Sequence, residues 1–216
     1  WLVMRFPSVI PLGTQERLLL SWDRAIACGL RFPNPEVQRS STPAVHLGVW
    51  NLYSQKPHIT ADSRQKMKRV IAELDLFLGI IKSRVVPKLE NLAAWHFDEG
   101  ARIRHCIYQR VRATLQHKFH DRPNLDFGGL FFTIAVKEGS SEVLHVDWND
   151  NLHTYAIIFA VGDYTGGEFC VPQIGHRIPL RPGAVLVART RLLAHCSHVG
   201  CGRRLVFTCF TDSTLL

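Results

Sequence analysis

An imidazole and a carboxylate lie two residues apart in the stretch His145-Val146-Asp147, directly after an apolar run. Side chains at positions i and i+2 of a β-strand point to the same face, so His145 and Asp147 could bind one metal ion. A polar turn after a strand would contain the same residue types. The pair alone therefore leaves both interpretations open, and residues further along the chain must decide between them.

A second histidine stands at the end of a later apolar segment, Leu193-Ala194-His195. Two histidines and one carboxylate, with coordination positions left open for small molecules, are the ligands of non-haem Fe(II) oxygenases. The sequence therefore predicts that His145, Asp147 and His195 bind one metal ion. His198, three residues further on, is the alternative third ligand, although a histidine at the tip of a hairpin is usually only solvated.

Arg204 stands nine residues beyond His195 in the last long apolar run. If Ser197–Gly202 forms a hairpin, Arg204 lies opposite His195 on the neighbouring strand. The planar guanidinium could then bind the far carboxylate of a dicarboxylate whose other end chelates the metal. Arg203 is the alternative, but strand alternation favours Arg204, which is in step with Val206, Thr208 and Phe210.

The order of these motifs resembles that of the Fe(II)/2-oxoglutarate-dependent dioxygenases. The resemblance covers about residues 127–213 and includes Gly166-Gly167-Glu168 and Pro182-Gly183 between the two histidines. Within that superfamily, "HVDWND … YTGGEFC … LLAH … RRLVFTCFT" is most similar to the Tet/JBP type found in fungi. One departure is that the basic residue of the family usually lies slightly further beyond the last histidine than Arg204 does.

This resemblance implies the fold, the cofactors and the activity. The fold would be a double-stranded β-helix (jelly roll), and the cofactors would be Fe(II), 2-oxoglutarate and O₂. The expected reaction oxidises a methyl group on a nucleic-acid base, either 5-methylcytosine or N6-methyladenine in DNA. A base in a duplex must be flipped out to reach the iron. The alternative is hydroxylation of a prolyl peptide or a small metabolite by the same fold.

Polar and aromatic residues beside the metal pair are the candidates for contact with the substrate. The resemblance implies that Asp150, three positions past the carboxylate ligand, meets the amino group of the base. A plain polar turn is the alternative for Asn149-Asp150-Asn151. The predicted substrate-binding residues are Trp148, Asn149, Asp150 and Tyr155.

Helical periodicity dominates the first half of the chain. Asp62 is a suitable helix cap and Pro87 suits a first helical turn. A loop with a short extended piece near 45–53 is expected over 31–60. Helices are predicted over 14–28, over 62–82, and from 87 to the segment 117–124 with an interruption at Gly100.

Short runs rich in Val, Ile, Phe and Thr, separated by Gly and Pro, come after Asp126. Helices followed by a series of strands predict an α+β fold whose strands form a closed or two-sheet β structure. We expect residues 1–126 to form a basic loop and helical layer on a catalytic β-helix over 127–216, in one compact unit. The predicted strands are 129–136, 142–148, 154–161, 167–171, 177–180, 184–189, 192–196 and 204–211.

The positive charge of the chain is confined to its first part. Residues 1–122 carry 19 basic and 10 acidic side chains, whereas residues 123–216 carry 7 and 8. This distribution suggests an anionic partner, nucleic acid first, and a basic surface that serves solubility alone is the alternative. No apolar run is long enough to span a membrane, and no obligate protein partner is evident. Six scattered cysteines indicate free thiols in the nucleus or another reducing compartment.

Overall fold

The computed structural model describes residues 1–52, 54, 56–98, 100–198 and 200–215. The helices within these residues are α1 (Leu12–Ala27), α2 (Lys68–Ile80), α3 (Val86–His96) and α4 (Ala101–Asp121). The strands are β1 (Val3–Phe6), β2 (Ala44–Trp50), β3 (His58–Ile59), β4 (Thr133–Glu138), β5 (Ala156–Thr165), β6 (Phe169–Val171), β7 (His176–Ile178), β8 (Val185–Ala188), β9 (Cys196–Ser197) and β10 (Cys201–Phe210).

Two antiparallel sheets form the β part of the molecule. The larger sheet has the strand order β1-β8-β5-β10-β4-β2-β3, and the smaller one has the order β7-β6-β9. The helices precede most of the strands along the chain, as expected for an α+β fold. The predicted α+β jelly roll with an N-terminal helical layer is confirmed.

A continuous line of aromatic rings joins the helices to the larger sheet. The rings of Trp22 on α1 and Phe77 on α2 lie 5.4 Å apart, and Phe77 stacks on Phe207 of β10 at 5.8 Å. Phe207 in turn stacks on Phe159 of β5 at 4.4 Å. All four side chains are fully buried. Complete burial of a large apolar side chain contributes about 1.5–3 kcal/mol, so this line holds the helical layer on the sheet.

Strand alternation in β10 divides its residues between two environments. Leu205, Phe207 and Cys209 pack in the core beneath the helices. Val206 and Thr208 line a cavity on the opposite face of the sheet. The larger sheet therefore carries the helical core on one face and the cavity on the other.

The predicted helices exist, but two of their boundaries differ. The helix expected from Asp62 begins only at Lys68, because Asp62–Arg64 form a separate 3-10 turn. Its C-terminal end does not stop near residue 82: a π-helical segment, Ile81–Val85, continues directly into α3. Gly100, with φ of 84°, precedes α4 and makes the expected interruption.

The segment 31–60 is mostly loop, as expected, and the predicted short extended piece is the strand β2 (Ala44–Trp50). β2 pairs with β4 over its first five residues, from Ala44 to Gly48, and also pairs with β3. Val45, Leu47 and Val49 alternate towards the helical core and are at most 1% exposed. The larger sheet also takes β1 from the N-terminus, so three of its strands precede residue 126. Tyr53, the end of the predicted extended piece, lies outside the described residues.

The strands predicted over 142–148 and 192–196 do not form as regular strands over these ranges. Only one isolated antiparallel bridge, between His145 and His195, joins the two segments. In that bridge each residue donates its backbone N–H to the carbonyl of the other, at 3.0 and 2.8 Å. Regular pairing of the second segment begins at Cys196. A single bridge is nevertheless enough to place the two histidines side by side.

Candidate metal centre

His145, Asp147 and His195 meet at the wall of a cavity of about 570 Å³. One ligand atom from each residue lies within 4.8 Å of the other two. Nε2 of His145 is 3.7 Å from Oδ1 of Asp147, and Nε2 of His195 is 3.5 Å from Oδ2. The structure therefore brings together the three residues that the sequence predicted as metal ligands.

Backbone carbonyls orient both imidazole rings. Nδ1 of His145 lies 2.7 Å from the carbonyl oxygen of Val143, and Nδ1 of His195 lies 2.8 Å from that of Leu193. Each Nδ1 must carry the proton of this hydrogen bond, which leaves the Nε2 lone pair for a metal ion. The donor set and its orientation fit a divalent ion such as Fe(II).

The protonation states of two ligands also suit a metal ion. Burial lowers the pKa of His145, so its ring is neutral near pH 7. Burial alone would raise the pKa of Asp147, but the neighbouring His195 and the charge of Arg39 outweigh this effect and lower it. A neutral imidazole and an ionised carboxylate are the forms that bind metals.

Arg39 is a neighbour of the cluster that the sequence analysis did not single out. Its Nη1 lies 3.2 Å from Oδ1 of Asp147. The loop that carries Arg39 is attached to the segment before His145: the Val143 N–H donates to the Arg39 carbonyl at 3.1 Å. No local spacing signals this contact, because it joins residues more than a hundred positions apart.

Glu142 anchors the same loop. Its Oε1 accepts hydrogen bonds from the backbone N–H and the hydroxyl of Ser41, both at 2.8 Å, and its Oε2 accepts one from the Ser40 hydroxyl at 3.1 Å. Burial opposes the ionisation of Glu142, but these hydrogen bonds outweigh it and lower the pKa to about 2. We refer to residues 39–42 as the clamp loop.

Arg204 is buried, 4% exposed, next to this cavity. Its guanidinium lies over the ring of Tyr164 at 5.4 Å, and Nη1 donates to the Ser140 hydroxyl at 3.2 Å. Nε and Nη2 have no hydrogen-bond partner among the described residues. Buried donors without partners are costly, and two such donors on one planar group fit a carboxylate.

The expected hairpin between His195 and Arg204 is wrong. β9 pairs with β6 in the smaller sheet, whereas β10 pairs with β4 and β5 in the larger one. The chain changes sheet between Ser197 and Cys201, so the register partner of Arg204 is Gly162 on β5. Arg204 therefore reaches the cavity from the opposite sheet, not from a strand beside His195.

The Gly166-Gly167 pair shapes the position of Arg204. Both glycines have positive φ, 77° and 71°. A Cβ atom on Gly167 would lie 2.9 Å from Nε and Cζ of Arg204. The turn therefore needs glycine for its backbone, as the sequence suggested, and Gly167 also leaves room for the guanidinium.

Arg203 and His198, the alternatives to Arg204 and His195, lie elsewhere in the structure. Arg203 points to the helical face, where it forms ion pairs with Asp23 of α1 and with Glu138 at 2.7 Å. The His198 side chain is 54% exposed, and its Nδ1 lies 3.4 Å from Glu168. Neither belongs to the cluster at the cavity wall.

The four predicted substrate contacts divide into two groups. Asn149 and Asp150 line the cavity. An isolated antiparallel bridge joins Asp150 to Asp212, two residues beyond the end of β10. Burial and the charge of Asp147 raise the pKa of Asp150 well above its usual value. Its Oδ2 accepts a hydrogen bond from the Thr190 hydroxyl at 2.6 Å.

Trp148 and Tyr155 do not line the cavity. Trp148 is 70% exposed on the turn between two cavity residues. Tyr155 is 5% exposed, its hydroxyl donates to the Trp1 carbonyl at 3.2 Å, and Arg189 covers its ring. Within the described structure, only Trp148 of this second group is placed where an approaching macromolecule would meet it.

The cavity has an aromatic side that the sequence analysis missed. The rings of His46 and Trp50 on β2 lie 5.3 Å apart, and Phe210 of β10 lies 6.4 Å from His46. Burial lowers the pKa of His46, so that ring is neutral near pH 7. The period-2 alternation of β2, where the sequence predicts a short extended piece, was the available signal.

Comparison with known proteins supports the fold. The sequence matches no protein-family model and no curated protein. The structure of NgTET1 in complex with 5mC DNA matches with a TM-score of 0.61 and 14% identity, over 98% of this chain and 72% of that one. The structure of OsALKBH1 matches with a TM-score of 0.53 and 14% identity, over 96% of this chain and 97% of that one.

The chain described here therefore has the double-stranded β-helix (jelly-roll) fold that these two structures share, with a His-Asp-His cluster at its cavity. No helix among the described residues is both long and apolar enough to cross a membrane.

Proposed function

We propose that this protein is an Fe(II)/2-oxoglutarate-dependent dioxygenase. The observation that carries the proposal is the convergence of two Nε2 atoms and one carboxylate within 4.8 Å at the cavity of this fold. When bound, Fe(II) with 2-oxoglutarate and O₂ supplies oxidation of a C–H bond, with succinate and CO₂ as by-products. The protein contributes ligation, orientation and a shielded cavity.

In this proposal, each group of residues has a separate task. His145, Asp147 and His195 hold the metal ion on one side and leave its other positions free. Arg204 binds the far carboxylate of 2-oxoglutarate with its unpaired Nε and Nη2 donors. Gly167 leaves the space that the guanidinium needs.

The proposed substrate is a methylated base in DNA, 5-methylcytosine or N6-methyladenine. A flat base could stack against the aromatic side of the cavity formed by His46, Trp50 and Phe210. Asn149 and Asp150 offer hydrogen-bonding groups on the cavity wall. NgTET1, which shares the fold, was solved in complex with 5mC DNA.

Exposed cations that closely follow a cavity residue along the chain support a polyanionic partner. Asp62 lines the cavity, and Arg64, Lys66 and Lys68 come after it along the chain with exposed side chains. Phosphate contacts from such residues would hold a duplex in place while base contacts select the substrate. With this substrate, the expected location is the nucleus or another reducing compartment.

Two measurements test the proposal together. The protein, Fe(II), 2-oxoglutarate and a methylated duplex are incubated in air, succinate is measured, and the nucleosides are analysed by mass spectrometry. We expect succinate and an oxidised base, and we expect Asp147→Ala to abolish both. Succinate without base oxidation, together with hydroxylation of a peptide or small metabolite, would overturn the substrate while keeping the dioxygenase. Absence of succinate with every substrate would overturn the dioxygenase.

A further inference from the structure

A buried lysine faces the cavity whose wall contains His145, Asp147 and His195. Lys137, near the end of β4, lines the cavity and is 8% exposed. Its Nζ lies 3.3 Å from the Ser141 hydroxyl. None of the ion pairs found among the described residues includes Lys137. A buried ammonium without a paired carboxylate is costly, so an anion that enters the cavity would be stabilised beside it.

The charged surroundings of Lys137 come from several elements. Burial lowers its pKa to about 8, Glu142 and Glu36 partly offset this effect, and Arg39 and Arg204 reinforce it. Glu142 is engaged by the serines of the clamp loop. On β2, His46 lines the same cavity.

Strand register places Lys137 beside Arg204. The register partner of Lys137 on β10 is Val206, two positions after Arg204. Diagonal neighbours on adjacent strands are about 7–8 Å apart, which long side chains can bridge. Lys137 lines the cavity and Arg204 lies next to it, so one anionic group that enters the cavity can contact both cations.

We propose that Lys137 binds the far carboxylate of 2-oxoglutarate together with Arg204. This inference rests on the proposed dioxygenase function, and it adds a residue that the motif resemblance does not include. The same ammonium could instead meet a phosphate group of the nucleic acid, and the experiment separates these two anions.

The test compares two ligands by calorimetric titration of the Mn(II)-loaded protein. 2-Oxoglutarate carries the far carboxylate, and 2-oxopentanoate has the same chain length without it. We expect Lys137→Met to weaken 2-oxoglutarate binding by at least about tenfold, equal to about 1.4 kcal/mol, and to leave 2-oxopentanoate binding unchanged. Lys137→Arg should retain most of the affinity. Lys88→Met, which removes an exposed charge on α3, should bind both ligands like the wild type.

A pH series on the wild type gives a second readout that needs no apolar substitution. Binding of a carboxylate requires the ammonium form, so 2-oxoglutarate affinity should be constant below pH 8 and fall as pH rises through 8. In Lys137→Arg this fall should disappear, because the guanidinium stays charged.

Each remaining outcome overturns a specific statement. If the wild type does not bind 2-oxoglutarate, the proposed function and the role of Lys137 both fail. If Lys137→Met binds 2-oxoglutarate like the wild type, or weakens both ligands equally, only the role of Lys137 fails. If the substitution affects a methylated duplex but not 2-oxoglutarate, the lysine belongs to phosphate binding.

Discussion

At the scale of single residues, the ability of His145, Asp147 and His195 to bind a metal ion depends on the tautomer of two imidazole rings. In both His145 and His195, Nδ1 is occupied by the carbonyl of the residue two positions earlier. This arrangement leaves Nε2 as the free nitrogen on both rings, directed at Asp147. Backbone geometry thus prepares the ligand atoms before a metal ion arrives, which reduces the cost of ordering them.

The first prediction separates two neighbouring histidines. His195→Ala should abolish binding of Mn(II), because only two ligands would remain at the cavity wall. His198→Ala is the matched control: its exposed ring pairs with Glu168, so metal affinity should stay at the wild-type level. Metal titration against a competing chelator measures both. Retained binding in His195→Ala with loss in His198→Ala would assign the third ligand to His198.

At the scale of elements, short turns and loops position the residues that the strands carry. The Gly166-Gly167 turn brings backbone against Arg204, and the clamp loop brings Arg39 against Asp147. Both contacts join parts of the chain that are distant in sequence. Changes in these connections should therefore alter the site without altering any ligand.

The second prediction compares two glycines with left-handed backbone. Gly167→Ala and Gly175→Ala should each lose about 1–2 kcal/mol of unfolding free energy from backbone strain, since φ is 71° and 65°. Only Gly167→Ala should also weaken 2-oxoglutarate binding, because its Cβ would lie 2.9 Å from the Arg204 guanidinium, whereas nothing lies within 4 Å at Gly175. Denaturation and calorimetry measure the two effects. Equal 2-oxoglutarate affinity in both variants would contradict a role of Arg204 in binding it.

The third prediction concerns the clamp loop. Glu142→Gln should lower the unfolding free energy by about 1–3 kcal/mol at pH 7, since it weakens hydrogen bonds to a charged group. The folded pKa of Glu142, about 2, is below its ordinary value of 4.5, so this stability is present above pH 4.5 and is lost as pH falls towards 2.

Urea denaturation at pH 7 and at pH 3 measures this difference, with Glu16→Gln on the exposed side of α1 as the control. The gap between the wild type and Glu142→Gln should be smaller at pH 3. A gap that does not change with pH would show that the ionised carboxylate is not the source of the stability.

At the scale of the whole molecule, the larger sheet separates the helical core from the cavity. Aromatic rings of α1, α2, β5 and β10 pack together on its helical face. Arg203 forms ion pairs with Asp23 and Glu138 on the same face. The other face of the sheet borders the cavity and carries Arg204, while His145, Asp147 and His195 lie outside its strands. The basic segment after Asp62 directly follows a cavity residue along the chain, and under the proposed function it would contact a polyanion.

The fourth prediction is a salt dependence of DNA binding. Each phosphate contact contributes a slope of about −0.9 to a plot of log affinity against log salt, because bound counterions are released. Lys66→Gln with Lys68→Gln should reduce the slope by up to about 1.8. Arg69 is less suitable for this test, because its Nε donates to the Cys28 carbonyl at 3.0 Å.

Arg110→Gln with Arg112→Gln removes the same charge from exposed positions on α4 and should leave the slope near the wild-type value. Fluorescence anisotropy with a labelled duplex at several salt concentrations measures both pairs. Equal slopes in both double variants would contradict a phosphate-binding role for the segment after Asp62.

The sequence by itself determined the candidate metal-ligand types and the face of β10 on which Arg204 lies. Ligand chemistry belongs to the side chain, and alternation along one strand is a local property, so His145, Asp147, His195 and Arg204 were all identifiable. Helices α1 to α4 were also visible, because 3.6-residue periodicity is local.

Only the tertiary structure decided which strands are neighbours. The bridge between His145 and His195, the sheet change before Arg204 and the place of β2 in the larger sheet are pairings between distant segments. Such pairings depend on the packing of the whole chain, and no local pattern records them. For the same reason Arg39 and Lys137, which line the same cavity, were identified only from the folded chain.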